Sequence, residues 1–151
     1  MDHFLLHLRL LNDILEKKLN TLTQIFTITE NQKAALAASC RDKEVLRLYA
    51  GMMREKQRLI DSVIESDRVF EKTYREVSGV FESEAPKHAG LVKRMQDSIR
   101  RVTALDARIR VREARNSDAP PKAAGIADSM SARKRIARIY EKNKGFKPPS
   151  I

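Results

Sequence analysis

Residues 45–81, VLRLYAGMMREKQRLIDSVIESDRVFEKTYREVSGVF, decide the fold that the sequence predicts. Their apolar positions recur at alternating steps of four and three, the spacing of helices that pack along a shared seam. The seam residues are Val45, Tyr49, Met52, Lys56, Leu59, Val63, Asp67, Phe70, Tyr74, Val77 and Phe81. Met53, Ile60 and Ile64 widen this stripe, so we expect the helix to pack against two neighbours in a bundle.

The chain before this seam predicts a first helix of about 35 residues, which would span roughly 50 Å. Its stripe runs through Leu8, Leu11, Leu15, Leu22, Ile25 or Phe26, and Leu36, with polar Lys18, Thr29 and Gln32 at steps of the same stripe. The segment Ser39-Cys40-Arg41-Asp42 is typical of a break between helices. Either Ser39 or Asp42 can accept bonds from the free N–H groups at the start of the second helix.

Pro86 either ends the second helix or begins the third, because proline fits the first turn of a helix but not its interior. A third helix is predicted from there onward. Its stripe is Leu91, Met95, Ile99, Val102, Leu105 and Ile109, and we expect it to end at about Ala114. Residues 116–131 combine turn formers with small residues and predict a flexible linker. A short amphipathic helix that presents Ile136, Ile139 and Tyr140 follows. Because it is too short to be stable alone, it must dock on its own bundle, on a twin subunit or on a client.

These patterns predict an all-α fold: an elongated antiparallel three-helix bundle or coiled coil, built on a long helical hairpin, with a short C-terminal tail helix. The expected organisation is a helical bundle over 1–115, the linker over 116–131 and a basic tail over 132–151. The 151 residues are 42% hydrophobic and 33% charged, with no tryptophan and five glycines. That composition argues against a β-rich fold and against collagen.

Near the start of the chain, Asp2 stands where a secretory signal needs positive charge, and Arg9 interrupts the apolar stretch. No run approaches the roughly 20 apolar residues that a membrane span requires. A single cysteine, Cys40, suits a reducing compartment. We therefore expect a cytoplasmic protein without a membrane span, and a monomer or a homodimer.

Positive charge is concentrated in the C-terminal part of the chain. Residues 1–86 hold 13 Lys and Arg against 14 Asp and Glu, a net charge of −1, whereas residues 87–151 hold 17 against 6, a net charge of +11. The candidate electrostatic contacts are Arg100, Arg101, Arg108, Arg112, Arg133 and Arg135. They fit either phosphates or an acidic protein surface. After Phe81 the only aromatic residues are Tyr140 and Phe146, so platforms for stacking single-stranded bases are scarce.

Catalytic and cofactor motifs are not found. His3 and His7 are four residues apart, with Asp2 as the one obvious third ligand and His88 far along the chain, so we expect surface histidines and no metal. None of the five glycines forms a phosphate-binding loop. We predict no catalytic residues, no cofactor and no enzymatic activity. Lys56 and Asp67 interrupt the apolar seam, and we expect each to pair with the first or the third helix.

Part of the hairpin resembles flagellar type III export chaperones of the FlgN type. The resemblance covers roughly residues 5–80. It rests on Asn31-Gln32-Lys33-Ala34-Ala35-Leu36, the turn at Cys40-Arg41-Asp42, Leu46, Met52, Lys56-Gln57 and Leu59-Ile60. Chaperones of the FliT type look similar, with a short terminal helix that can cover the client groove.

The resemblance implies a cytoplasmic chaperone, independent of ATP, that binds the C-terminal region of hook–filament junction proteins. Such a chaperone prevents premature assembly and delivers its clients to the export apparatus. Recognition would place an amphipathic client helix in a groove. The expected client-binding residues are Leu91, Met95, Ile99 and Val102 on the groove wall, and Ile136, Ile139 and Tyr140 on the tail.

Two other classes of function stay open at the level of the sequence. One is a basic helical protein associated with nucleic acid through the arginines of the third helix. The other is a structural coiled-coil adaptor that assembles through the seam from Tyr49 to Phe81.

Overall fold

The computed structural model describes residues 2–37, 43–116 and 135–143. The described elements are α1 (His3–Ala37), α2 (Lys43–Val77), a short α3 (Phe81–Glu84), a 3-10 turn (Ala85–His88), α4 (Ala89–Asn116) and the helical residues 135–143, named α5. No strand occurs among these residues. The predicted all-α fold, with a long hairpin and a short C-terminal helix, is confirmed.

Helix α1 has the predicted length of about 35 residues, and α2 is also 35 residues long. At the start of α1, a carboxylate oxygen of Asp2 accepts a bond from the Leu5 N–H at 3.2 Å, which satisfies one of the free donors of the first turn. The predicted break at 39–42 lies outside the described residues. The predicted linker lies there too, except Asn116, which forms the last residue of α4.

The second helix ends earlier than its seam pattern suggests. The seam pattern extends to Phe81, but α2 ends at Val77, where the Val80 N–H bonds the Val77 carbonyl at 3.1 Å in a tight turn. Phe81 is nevertheless buried, because α3 returns it to the core. The heptad spacing therefore predicts correctly that Phe81 is buried. It does not reveal the turn after Val77, because the chain keeps the same face towards the core across that turn.

The bundle is organised around α1, which packs along both α2 and α4. Of the described elements, α2 and α4 make no comparable contact with each other. Helix α2 runs antiparallel to α1, as the His7–Glu76 pair shows near one end of the hairpin, and α4 runs parallel to it. The two outer helices therefore flank α1 and leave a groove between them.

The core follows the predicted stripes closely. Leu8, Leu11 and Leu15 of α1 have no exposed surface, and the polar residues of the same stripe are buried with them. By contrast, Met53 and Ile64 remain 37% and 39% exposed, so the stripe of α2 is narrower than the sequence predicts. These two side chains lie on a flank of α2 that the neighbouring helices do not cover.

Both polar residues of the α2 seam have the partners that the sequence predicts. The Lys56 ammonium donates to the Gln32 side chain of α1 at 3.1 Å and pairs with Glu113 of α4 at 2.6 Å. Asp67 pairs with Lys18 of α1 at 2.5 Å. Because charged groups in a seam must be matched across helices, these pairs favour one alignment of the hairpin.

Candidate helix-binding groove

Helix α5 lies in the groove between α2 and α4 and contacts all three long helices. The Arg135 guanidinium donates to the Glu71 carboxylate of α2 at 3.1 Å. The Tyr140 hydroxyl accepts a bond from the Lys18 ammonium of α1 at 3.1 Å. The Gln96 side chain of α4 donates to the backbone carbonyl of Asn143 at 2.9 Å. We call this surface the tail groove; it comprises Lys18, Asp67, Phe70, Glu71 and Gln96.

The apolar face of α5 points into the bundle. Ile136 and Tyr140 are 3% and 7% exposed, and Ile139 packs against the same core while staying partly exposed. The Tyr140 ring meets the Phe70 ring edge to face, with the centroids 5.5 Å apart. Anchors at i, i+3 and i+4 are the pattern of an amphipathic helix held in a groove. Of the docking places that the sequence leaves open, the structure shows the chain's own bundle.

The centre of the tail groove is polar. The Lys18 ammonium donates to Asp67 and to the Tyr140 hydroxyl, and it lies 5.0 Å from the centroid of the Tyr140 ring. Burial raises the pKa of Tyr140 well above 10, and the nearby carboxylates of Asp67 and Asp106 raise it further. Tyr140 therefore stays a neutral hydroxyl at physiological pH, able to accept the bond from Lys18.

The residues predicted to line the wall of the client groove lie mostly in the core of the bundle. Met95, Ile99 and Val102 are fully buried in the core, and Leu91 is partly buried against it. The residues that touch α5 through polar groups are instead Lys18, Glu71 and Gln96. The sequence marks Lys18 as a polar residue within the apolar stripe of α1. Nothing in the local pattern marks Glu71 or Gln96 as contacts for α5, which lies much later in the chain.

Several of the predicted electrostatic residues contact other groups of the same chain. Arg100 pairs with Asp97 at 2.7 Å, and Arg112 pairs with Glu30 at 2.9 Å. The Arg108 guanidinium covers the Phe26 ring at 4.7 Å from its centroid. Arg101 is exposed, Arg135 binds Glu71 as described, and Arg133 lies outside the described residues. Much of the charge of α4 is thus held against groups of the same chain.

Histidines pair with carboxylates across the end of the bundle. His7 bonds Glu76 at 2.6 Å, whereas His88 bonds Asp2 at 3.1 Å and its ring stacks on Phe4. Both ring nitrogens of His7 are therefore engaged, one by the His3 carbonyl and the other by Glu76. Chain folding brings His88 to Asp2 although 86 residues separate them.

Ligand atoms of Asp2, Glu84 and His88 lie within 4.8 Å of one another, a donor set that suits a divalent cation. Protein contacts also account for this arrangement, because Asp2 caps α1 and Glu84 pairs with Lys87. The cluster fastens the start of α1 to the turn before α4.

No helix of the described part of the chain combines the length and the apolar character needed to cross a lipid bilayer. No protein family, curated protein or solved structure matches the chain. The fold and the tail groove together define a helical bundle that holds an amphipathic helix of its own chain.

Proposed function

We propose that this protein is a cytoplasmic export chaperone that binds the C-terminal helical region of flagellar hook–filament junction proteins. The observation that carries the proposal is the seating of α5 in the tail groove. Ile136 and Tyr140 are almost completely buried there. A groove that holds one amphipathic helix has the shape and the apolar surface to hold another of similar pattern.

Helix α5 would occupy the place of the client until the client displaces it. Its described part is nine residues long, and a helix of that length is marginal in water without a surface to pack on. Opening the groove therefore costs mainly the contacts of Ile136 and Tyr140. Holding a client requires no covalent step, so the binding cycle needs only the exchange of one helix for another.

The resemblance to chaperones of the FlgN type supplies the identity of the client and of the export apparatus. Helix α1 and the buried Lys56 and Leu59 of α2 belong to the resembling region. The FliT-type arrangement, in which a short terminal helix covers the client groove, agrees with the position of α5. Under this proposal a bound client is kept from assembling prematurely and is passed on to the export apparatus.

The proposal predicts that weakening the docking of α5 strengthens client binding. In the full chain, Ile136→Asp places a carboxylate in a buried apolar position and should release α5. Ala137→Asp adds the same charge at an exposed position of the same helix and is the matched control. Affinity for a peptide from the C-terminal region of a hook–filament junction protein, measured by calorimetry, should rise at least fivefold in Ile136→Asp alone, because a larger fraction of the grooves is open.

Circular dichroism should show that both variants keep the long helices. Equal affinities of the peptide for Ile136→Asp, Ala137→Asp and the unchanged chain would show that α5 does not compete with the client. Failure of the peptide to bind any of the three would reject the chaperone function.

A further inference from the structure

The floor of the tail groove carries a buried ion pair where an apolar surface would be expected. Lys18 and Asp67 are each only 6% exposed, yet both face the helix that the groove holds. Replacing such a pair by apolar residues is often neutral for stability or even favourable. Its presence beneath α5 therefore points to a role in deciding which helix can dock.

An ammonium group donates hydrogen bonds, and the loss of an acceptor is costly for it where water is excluded. With α5 docked, Lys18 donates to Asp67 and to the Tyr140 hydroxyl. A Leu or Phe side chain in the place of Tyr140 would cover the ammonium without offering an oxygen. A buried donor left unsatisfied is costly, so such a helix would bind more weakly although it is more apolar.

The tyrosine ring adds a second contribution at the same position. It meets the Phe70 ring edge to face, with the centroids 5.5 Å apart. A serine or threonine could supply the hydroxyl, but neither could fill the space against Phe70. A tyrosine supplies both the acceptor and the ring.

The other polar contacts of the groove select less strongly. Glu71 accepts from Arg135 and also from Arg75 of its own helix. The buried Glu71 carboxylate therefore keeps a partner whichever helix is docked, and the Arg135 guanidinium, which is half exposed, can be solvated when it is not paired. Gln96 bonds a backbone carbonyl, which every helix offers. The Lys18–Asp67 pair is therefore the element of the groove that distinguishes one helix from another.

We propose that the tail groove recognises amphipathic helices that carry a tyrosine four residues after a buried aliphatic residue, as Tyr140 follows Ile136. This inference rests on the proposed function. Lys18 and Asp67 are the residues that determine this specificity. A client of this protein should therefore present an aliphatic residue, a second aliphatic three residues later and a tyrosine directly after it. Helices with Leu or Phe in place of the tyrosine are discriminated against by the buried ammonium.

The test uses fluorescein-labelled synthetic peptides that correspond to residues 131–147. They are added to the full chain carrying Ile136→Asp, whose groove is vacated. The peptides have the unchanged sequence, Tyr140→Phe or Tyr140→Leu, and fluorescence anisotropy gives their affinities. We expect the unchanged peptide to bind about tenfold more tightly than Tyr140→Phe, a difference of about 1.4 kcal/mol.

The matched receptor carries Lys18→Met and Asp67→Leu together, in the same Ile136→Asp background. With the ion pair replaced by apolar side chains, the preference for tyrosine should disappear or reverse in favour of phenylalanine. If circular dichroism shows that this receptor has lost helix, the affinities of the three peptides for the first receptor test the inference without it. The peptide substitutions do not alter the bundle of that receptor.

The outcomes separate this inference from the proposed function. Peptides that bind equally well with Tyr, Phe or Leu would overturn the specificity role of Lys18 and Asp67 while leaving the groove as a helix-binding site. A tyrosine preference that persists in the apolar receptor would overturn it as well. A vacated groove that binds none of the peptides would reject both the inference and the groove on which the proposed function depends.

Discussion

The imidazole of His7 links α1 to the end of α2. One ring nitrogen bonds the His3 carbonyl at 2.6 Å and the other bonds the Glu76 carboxylate at 2.6 Å. Since both partners are acceptors, both contacts are satisfied fully only when each nitrogen carries a proton. The His3 carbonyl is the main cause that raises the pKa of His7 above its ordinary value of 6.5, with Glu76 adding to it.

This geometry predicts a pH-dependent contribution to stability. Because the folded pKa is raised, the contribution is fully present below pH 6.5 and is lost as the pH rises through the folded value. Glu76 is half exposed, so the contribution should stay below about 1 kcal/mol. Urea denaturation of the unchanged chain and of His7→Gln, followed from pH 5.5 to pH 9, should give two stability curves that converge at the alkaline end.

His3→Gln is the control for this prediction, because the His3 ring is exposed and only its backbone carbonyl takes part. It should reproduce the pH dependence of the unchanged chain. A proton resonance of His7 that titrates at or below the ordinary value would contradict the assigned contacts.

At the same scale, Lys18 shows what a sequence can and cannot reveal about a site. Its place in the α1 stripe, between Leu15 and Leu22, predicts burial, and burial of a lysine predicts a charged partner. The partner itself cannot be predicted from spacing. Asp67 lies 49 residues away and Tyr140 lies 122 residues away, and local patterns carry no information on such distant pairs.

At the scale of the elements, α1 is the helix on which the bundle depends, because each of the two outer long helices packs mainly along α1. Neighbouring leucines of α1 test this arrangement: Leu11 has no exposed surface, whereas Leu10 is 45% exposed. Leu11→Ala should lower the free energy of unfolding by about 2–5 kcal/mol through lost contacts and the cavity left behind.

Leu10→Ala is the matched control for that substitution. It removes the same atoms one position away, and alanine does not weaken the helix itself, so its effect should stay below about 1 kcal/mol. Denaturation midpoints in urea give both values. Similar losses for the two variants would mean that the face of α1 pointing into the bundle has been assigned wrongly.

The elements also show why helix boundaries are harder to predict than helix faces. The heptad pattern placed Tyr74, Val77 and Phe81 in the core, and all three are buried. It could not show the turn after Val77, because α3 continues the same inward face. Likewise the stripe of α5 predicts that this helix docks, whereas its docking place depends on the gap between α2 and α4, which no single segment encodes.

At the scale of the whole molecule, the net charge of +10 leaves nucleic acid as the rival partner. The structure weakens that alternative in two ways. Arg100 and Arg112 of α4 are paired with carboxylates of this chain, and Tyr140, one of the two aromatic residues after Phe81, is buried rather than available for stacking on bases. What remains on α4 is exposed positive charge on a helix that carries no aromatic residue.

We therefore predict that this protein binds a DNA duplex only weakly and without sequence preference. Binding at 50 mM salt should be largely lost near 200 mM, because it would rest on the release of counterions from phosphates.

Arg101→Glu with Arg115→Glu reverses two exposed charges on α4 and should weaken DNA binding while leaving client affinity unchanged. Ile136→Asp should instead raise the client affinity and leave DNA binding nearly unchanged, because it opens the groove and adds only one negative charge. Fluorescence anisotropy with a labelled duplex, over a salt series, measures the first effect. Micromolar or tighter binding at physiological salt would instead place the nucleic-acid function ahead of the chaperone function, since so strong an interaction would need more phosphate contacts than weak, diffuse attraction provides.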